Sequence, residues 1–242
     1  MSALGHYLEE DGIATVSIAL IRPQAENTRP PRALWVPFEL GRPFGPPSDA
    51  AFQKRVLLTA LGMLVDGGEP VRIIDFPDDD PRAQPDPTWQ PPFVAAGGAS
   101  GAVEALAAEL QTEVSLLRDA HQRWMARYGR STVGLSGLPI AGCARFVADW
   151  LSDKAPPSPR DGFSAPLILR FAVDDLKAYC LEAAGAGTAR PSSPQLGDWL
   201  WNETVTGKAL RALRERLLAQ EDERLRLIVA NFMVPAARLR TD

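Results

Sequence analysis

From Ile13 to Ile21 the chain reads Ile-Ala-Thr-Val-Ser-Ile-Ala-Leu-Ile, nearly continuous in apolar and β-branched residues. That pattern predicts a strand covered on both faces, as in a parallel sheet. Residues 2–11 before it predict a short helix closed by Gly12. Ala33–Val36 and Val71–Ile74 predict two further short strands. Between them Ser48 is expected to cap a helix on which Phe52, Val56, Ala60 and Leu64 share one face, ending at Asp66-Gly67-Gly68. Residues 22–32 hold three prolines and three arginines, and 37–47 are proline-rich again. The second stretch cannot be regular structure, because proline removes a donor and fixes φ.

Beyond residue 100 the period changes to that of helices. Val103, Leu106, Leu110, Val114, Leu117, His121, Trp124 and Tyr128 recur at spacings of three and four, which predicts one long amphipathic helix capped by Ser100. Ile140, Cys143, Ala144, Phe146, Val147 and Trp150 mark the inner face of a second helix, opened by Pro139. Further helices are expected through Leu169–Cys180, Leu196–Leu200, Val205–Leu217 and Leu225–Phe232. The fold class read from this is α/β: a small, mostly parallel three-stranded sheet with helices, followed by a larger all-helical part. The expected division is 1–76 for the α/β portion, 77–99 for a Pro/Asp-rich connecting segment and 100–242 for the helices, packed as one unit.

Composition narrows the function classes. With 45% hydrophobic and 23% charged residues the chain is globular. No apolar run is long enough to span a bilayer and no leader pattern is read, so a cytoplasmic protein with no membrane partner is expected. A net charge of −4 gives no field that would draw it to nucleic acid. Lysines and arginines of the last helices, from Lys208 to Arg226, alternate with acids and predict a solvated face. Cys143 and Cys180 form no disulfide framework, and with two histidines in the whole chain neither a metal site nor a cofactor is expected.

Candidate chemistry is sparse. His121 lies on the apolar stripe of the long helix and is a weak candidate general base, though a core histidine fits its position better. Gly134-Leu-Ser-Gly-Leu138 lacks the second glycine of a nucleophile elbow and predicts a turn. Gly97–Gly101 precedes a helix and could hold an anion, but has neither the lysine nor the spacing of a phosphate loop. The segment Arg22–Arg42 is the most informative, since its arginines follow the carboxyl ends of two strands, where open parallel sheets bind ligands. Arg29, Arg32 and Arg42 are the candidate ligand-binding residues, suited to a small carboxylate, and Glu39 is a second weak acid/base candidate. The bland alternative is a rigid proline-braced loop whose Arg–Glu pairs only hold the α/β portion to the helices.

Asp11-Gly-Ile-Ala-Thr-Val-Ser-Ile18 after a helix, followed by Pro31-Arg-Ala-Leu-Trp-Val-Pro-Phe-Glu-Leu-Gly-Arg-Pro43, resembles the selenoprotein B family. These are the substrate-specific subunits of glycine, sarcosine, betaine and D-proline reductases, which carry a "GIPTV" strand and a later proline-leucine-glycine-proline loop. The resemblance covers roughly residues 2–65. In the family a redox selenocysteine or cysteine precedes the helix before the "GIPTV" strand, whereas here no cysteine lies before Cys143. The resemblance therefore implies a redox-inactive relative, acting as a ligand-binding or protein-interaction component. An enzyme of other chemistry on a small carboxylate or amino-acid-like substrate stays open as the alternative. The absent family strand would leave a sheet edge exposed, a docking place for a partner chain or a second copy.

Overall fold

A computed structural model describes residues 2–66, 70–93, 103–152 and 155–239. The glycine-rich anion candidate at 97–101 lies outside the described residues. The fold class is α/β, with a three-stranded parallel sheet in a mostly helical chain. The chain divides into two compact units, Met1–Gln84 and Pro85–Asp242, and the division falls inside the Pro/Asp-rich segment.

In the first unit, α1 (Ser2–Glu10) leads to β1 (Ser17–Ala19), α2 (Arg22–Thr28), β2 (Arg32–Trp35), α3 (Ala50–Gly62) and β3 (Arg72–Asp75). The strand order is β1-β2-β3, parallel throughout. β1 is much shorter than the apolar run 13–21, because Glu9 intercepts the backbone ahead of it. One Glu9 oxygen accepts both the Thr15 N–H (2.5 Å) and the Thr15 hydroxyl (3.0 Å). The proline-rich stretch after β1, for which no helix is expected, forms α2. Its proline, Pro23, sits in the first turn, where no intrahelical N–H is needed. The register aligns Ile18, Leu34 and Ile74. This row joins Val36, Phe38 and Phe76 against Phe52, Val56, Ala60 and Met63 from α3 and its end. The rings of Phe38, Phe52 and Phe76 meet at 5.5–5.8 Å in tilted and edge-on pairs, favoured geometries for aromatic quadrupoles. Gly45, at φ 81°, lies against this cluster, and a Cβ there would come within 2.6 Å of the Phe52 ring. Asp49, not Ser48, caps α3, accepting the Phe52 N–H at 3.0 Å.

The second unit comprises α4 (Val103–Tyr128), α5 (Ile140–Leu151), α6 (Ala165–Ala184), α7 (Ser193–Asp198), a π-helical turn (Trp199–Glu203), α8 (Val205–Leu218) and α9 (Glu223–Phe232). The predicted stripe of α4 buries Leu106, Leu110, Val114 and Leu117, and α5 buries the predicted face from Cys143 to Trp150. The π-helical turn widens the spiral, and Trp199, Leu200 and Trp201 are all buried. Gly207 then passes so close that a Cβ would stand 2.1 Å from the Leu200 carbonyl oxygen. Residues 85–93 belong to this unit and are pinned to it. Asp86 exchanges two backbone hydrogen bonds with the Gln195 side chain, and its own carboxylate accepts the Arg190 N–H. The Trp89 indole donates to the Ala184 carbonyl, and Trp89 and Phe93 both pack edge-on to Trp199.

Candidate ligand-binding site

At the carboxyl ends of the strands, the first residue of α2 reaches across the sheet. Arg22 pairs with Asp75 at the end of β3 and with Glu26 at 2.9 Å, and its guanidinium lies 5.5 Å from the Trp35 ring centre. The Asp75 hydrogen bond leads the causes that raise the Arg22 pKa above its ordinary value. Arg22 is thus a clasp over all three strands, with its hydrogen-bonding groups turned to acids of its own unit.

The arginines singled out in the sequence stand in separate local settings. Arg32 is ion-paired with Glu9 at 2.6 Å, which fixes the end of α1 to the start of β2. Arg42 faces Glu39 at 3.7 Å across one turn of the proline loop, both half exposed. Arg29 closes α2 in the left-handed region, φ 46°, with its N–H on the Ala25 carbonyl and its side chain exposed. Arg32 and Arg42 thus pair with acids of the first unit itself, not with acids of the helical part.

Beside them runs a groove of about 450 Å³ along the free edge of β1. Its walls are Ser17–Ile21, with Gln24, Ala25 and Thr28 of α2, Leu40 of the proline loop and Ala3 of α1. None of these side chains is ionisable. Ser17 and Thr28 have their hydroxyls turned inward, donating to the Arg32 and Gln24 carbonyls. In the parallel ladder Ser17 and Ala19 direct their backbone groups to β2, as the Val36 N–H on the Ala19 carbonyl shows. The alternation leaves the Ile18 N–H and C=O pointing outward, over the groove. No helix is expected over 22–32, so the sequence does not bring Gln24, Ala25 and Thr28 together on one face.

In the second unit, His121 meets Glu182, not a substrate. Its Nε2 lies 2.8 Å from Glu182 Oε2, and its ring packs on Tyr179 at 4.5 Å between centres. Glu182 also accepts the Ser131 hydroxyl (2.6 Å), the Thr132 N–H (2.7 Å) and the Thr132 hydroxyl (2.8 Å). Burial raises the Glu182 pKa, but these donors outweigh it and the carboxyl sits below its usual range. Ser131 approaches the same imidazole nitrogen that faces Glu182, at 3.5 Å, and gives its proton to Glu182. A nucleophilic triad needs the two ring nitrogens to serve base and orienting acid separately. This arrangement instead ties the loop after α4 to α6.

Ser136 is likewise structural. It is fully buried and donates its N–H (3.0 Å) and hydroxyl (2.5 Å) to Asp175, which also accepts the Gly134 and Leu135 N–H groups. Cys143 Sγ lies 3.2 Å from the Ser136 hydroxyl. Burial, followed by the neighbouring Asp175 charge, pushes the Cys143 thiol up to about 11. The fully buried Cys180 thiol is raised further, and neither supplies a thiolate near neutral pH. A third buried acid, Glu113, accepts the Val205 N–H, the Thr206 N–H and the Thr206 hydroxyl at 2.6–2.8 Å, capping α8 from another helix. Here burial prevails and raises the pKa. The three anchoring acids carry no motif; each acts on chain far away in sequence.

Among the described residues no group of three or more histidine, cysteine or acidic side chains is placed to hold a metal. No described helix is long and apolar enough to cross a membrane. Compared with protein-family models, with curated proteins and with solved structures, the chain matches none.

Proposed function

We propose that this chain is a cytoplasmic binding component rather than a catalyst, and that its first unit takes an extended, uncharged apolar segment of a partner chain along β1. The observation that carries this reading is the groove. It combines outward-facing backbone groups at Ile18 with walls that hold no acidic or basic side chain. Backbone hydrogen bonds would give affinity, and the apolar walls would select alternate side chains. The buried high-pKa thiols and the paired Arg32 and Arg42 favour binding over turnover. With the resemblance of residues 11–18 and 31–43, the protein is read as a redox-inactive relative of a reductase substrate subunit. A small carboxylate is the less favoured ligand, because the arginines suited to it stand outside the groove.

The test is selection of a displayed random-peptide library on the full chain, followed by affinities of the selected peptides for two variants. Leu40→Glu puts a charge on the exposed rim of the groove and should weaken binding at least about tenfold, or ~1.4 kcal/mol. Ile18→Pro removes the outward N–H while leaving the β2 ladder intact, and should do the same. Selected peptides should be apolar at alternate positions. No enrichment, or peptides that bind both variants unimpaired, would overturn the proposal.

A further inference from the structure

α3 packs its Phe52–Val56–Ala60 face into the core of the first unit, yet its opposite face is apolar as well. Leu57, Leu58 and Leu61 are 42%, 56% and 44% exposed, and Val65, one turn further on, is 83% exposed. A helix at a domain surface ordinarily turns charged and polar residues outward. Here positions 54, 57, 58, 61 and 65 fall at spacings of three and four, so Lys54, three leucines and a valine form one outward stripe. The turn after Gly62 keeps that spacing, because the Leu64, Val65 and Asp66 N–H groups bond back to Leu61 and Gly62. The aliphatic part of the stripe exposes on the order of 400 Å², the size at which a patch on a single chain marks an interaction site.

We propose that this stripe is the interface of a homodimer, in which α3 of a second copy packs antiparallel over Leu58 and Leu61 about a two-fold axis. The charges at the ends of the stripe select a second copy in that orientation. An axis between Leu58 and Leu61 sets Leu58 of each chain against Leu61 of the other, and Lys54 against the Val65–Asp66 end. Lys54 is the charged member of the stripe, and Asp66 is an exposed acid that faces Arg72 loosely, at 3.8 Å. α3 has no basic residue in its last turn, where a cation favours the helix dipole. An antiparallel copy supplies one there, whereas a parallel copy would set lysine against lysine. Two such patches bury on the order of 800 Å² of aliphatic surface, about half of a standard interface. That area suits a reversible dimer with a dissociation constant of about 10 µM, not an obligate one. The stripe lies on α3 and shares no residue with the groove along β1, so either reading can fail without the other.

The test is sedimentation equilibrium of the full chain from about 1 to 200 µM, a range that brackets the expected constant. The mass should rise from one chain to two across that range. Leu58→Glu combined with Leu61→Glu should stay monomeric throughout, with little change in melting temperature at low concentration, since both positions are at the surface. Lys54→Glu and Asp66→Lys should each weaken the dimer at least about threefold, and the two together should restore it. A chain that is monomeric at the highest concentration overturns the proposal. So does a dimer that survives the paired glutamates, including one that dissolves in Ile18→Pro instead and so belongs to the edge of β1. If the paired-glutamate variant does not fold, the charge exchange decides: single variants that dimerise unimpaired, or no recovery when they are combined, would overturn the antiparallel pairing.

Discussion

Replacing Asp175 by alanine should destabilise the second unit severely, and the size of the loss follows from which donors stay buried. Asp175 accepts four hydrogen bonds, from the N–H groups of Gly134, Leu135 and Ser136 and from the Ser136 hydroxyl. Gly134 and Leu135 are at the surface, so water can replace the carboxylate there. Ser136 is fully buried, and its two donors would be orphaned. At ~1–3 kcal/mol for each orphan the loss is roughly 2–6 kcal/mol. That is a large share of a typical domain stability of ~5–15 kcal/mol. The assay is urea unfolding of the full chain followed by tryptophan fluorescence, with Trp35→Phe as background. All remaining tryptophans then lie in the second unit. With a slope of about 2 kcal/mol/M, the midpoint should fall by ~1–3 M. Ser136→Ala removes one donor and should cost distinctly less, about 1 kcal/mol. A loss below ~1 kcal/mol in Asp175→Ala would refute the claim that this carboxylate holds the turn.

Glu182 and Glu113 should give opposite pH dependences, read by comparing Glu182→Gln and Glu113→Gln with the natural chain in urea. The Glu182 carboxyl is lowered in the fold, so its contribution is full above the unfolded value near 4.5 and is lost as pH falls through the folded value. The Glu113 carboxyl is raised, so its contribution is full below 4.5 and declines as pH rises through the folded value. Like slopes for both variants would show that one assignment is wrong. Native Cys143 and Cys180 should resist a disulfide reagent at pH 8 and react only on unfolding, since both are buried with raised pKa values. Rapid labelling of the folded protein would contradict this. His121→Ala should cost about 1–3 kcal/mol through loss of the Glu182 bond and the Tyr179 contact. An unchanged melting temperature would remove the histidine from the structural set.

The apolar periodicity was legible where packing alone shapes an element. The stripe from Leu106 to Leu117, the inner face of α5 and the Phe52–Val56–Ala60 face of α3 are buried as their spacing predicts. Polar interference was not legible. Glu9 truncates β1 by capturing Thr15, and nothing in the apolar run 13–21 signals it. Pro23 carries no helix signal in a stretch with three prolines, although in a first turn it opens α2. The clasp of Arg22 needs Asp75, 53 positions away, and the sequence placed Arg22 only in a general arginine cluster. Asp175, Glu182 and Glu113 each lie on a helix where an acid is ordinarily a solvated residue. Only the tertiary arrangement supplies the buried donors that give them their role. The turn at Ser136 was read correctly from its missing glycine, but its acceptor was not.

The reach of those three carboxylates has a consequence for the order in which the second unit assembles. A helical bundle ordinarily folds fast because its contacts are local. Here the polar ties join residues from 39 to 93 positions apart, and each needs two helices already in place. Loops 131–136 and the start of α8 are therefore expected to reach their final form after the apolar faces have met. Interactions absent from the transition state govern how quickly the native state is left, not how quickly it is reached. Asp175→Ala, Glu182→Gln and Glu113→Gln are therefore expected to speed unfolding more than they slow folding, whereas truncations on the Leu106–Leu117 stripe should slow folding.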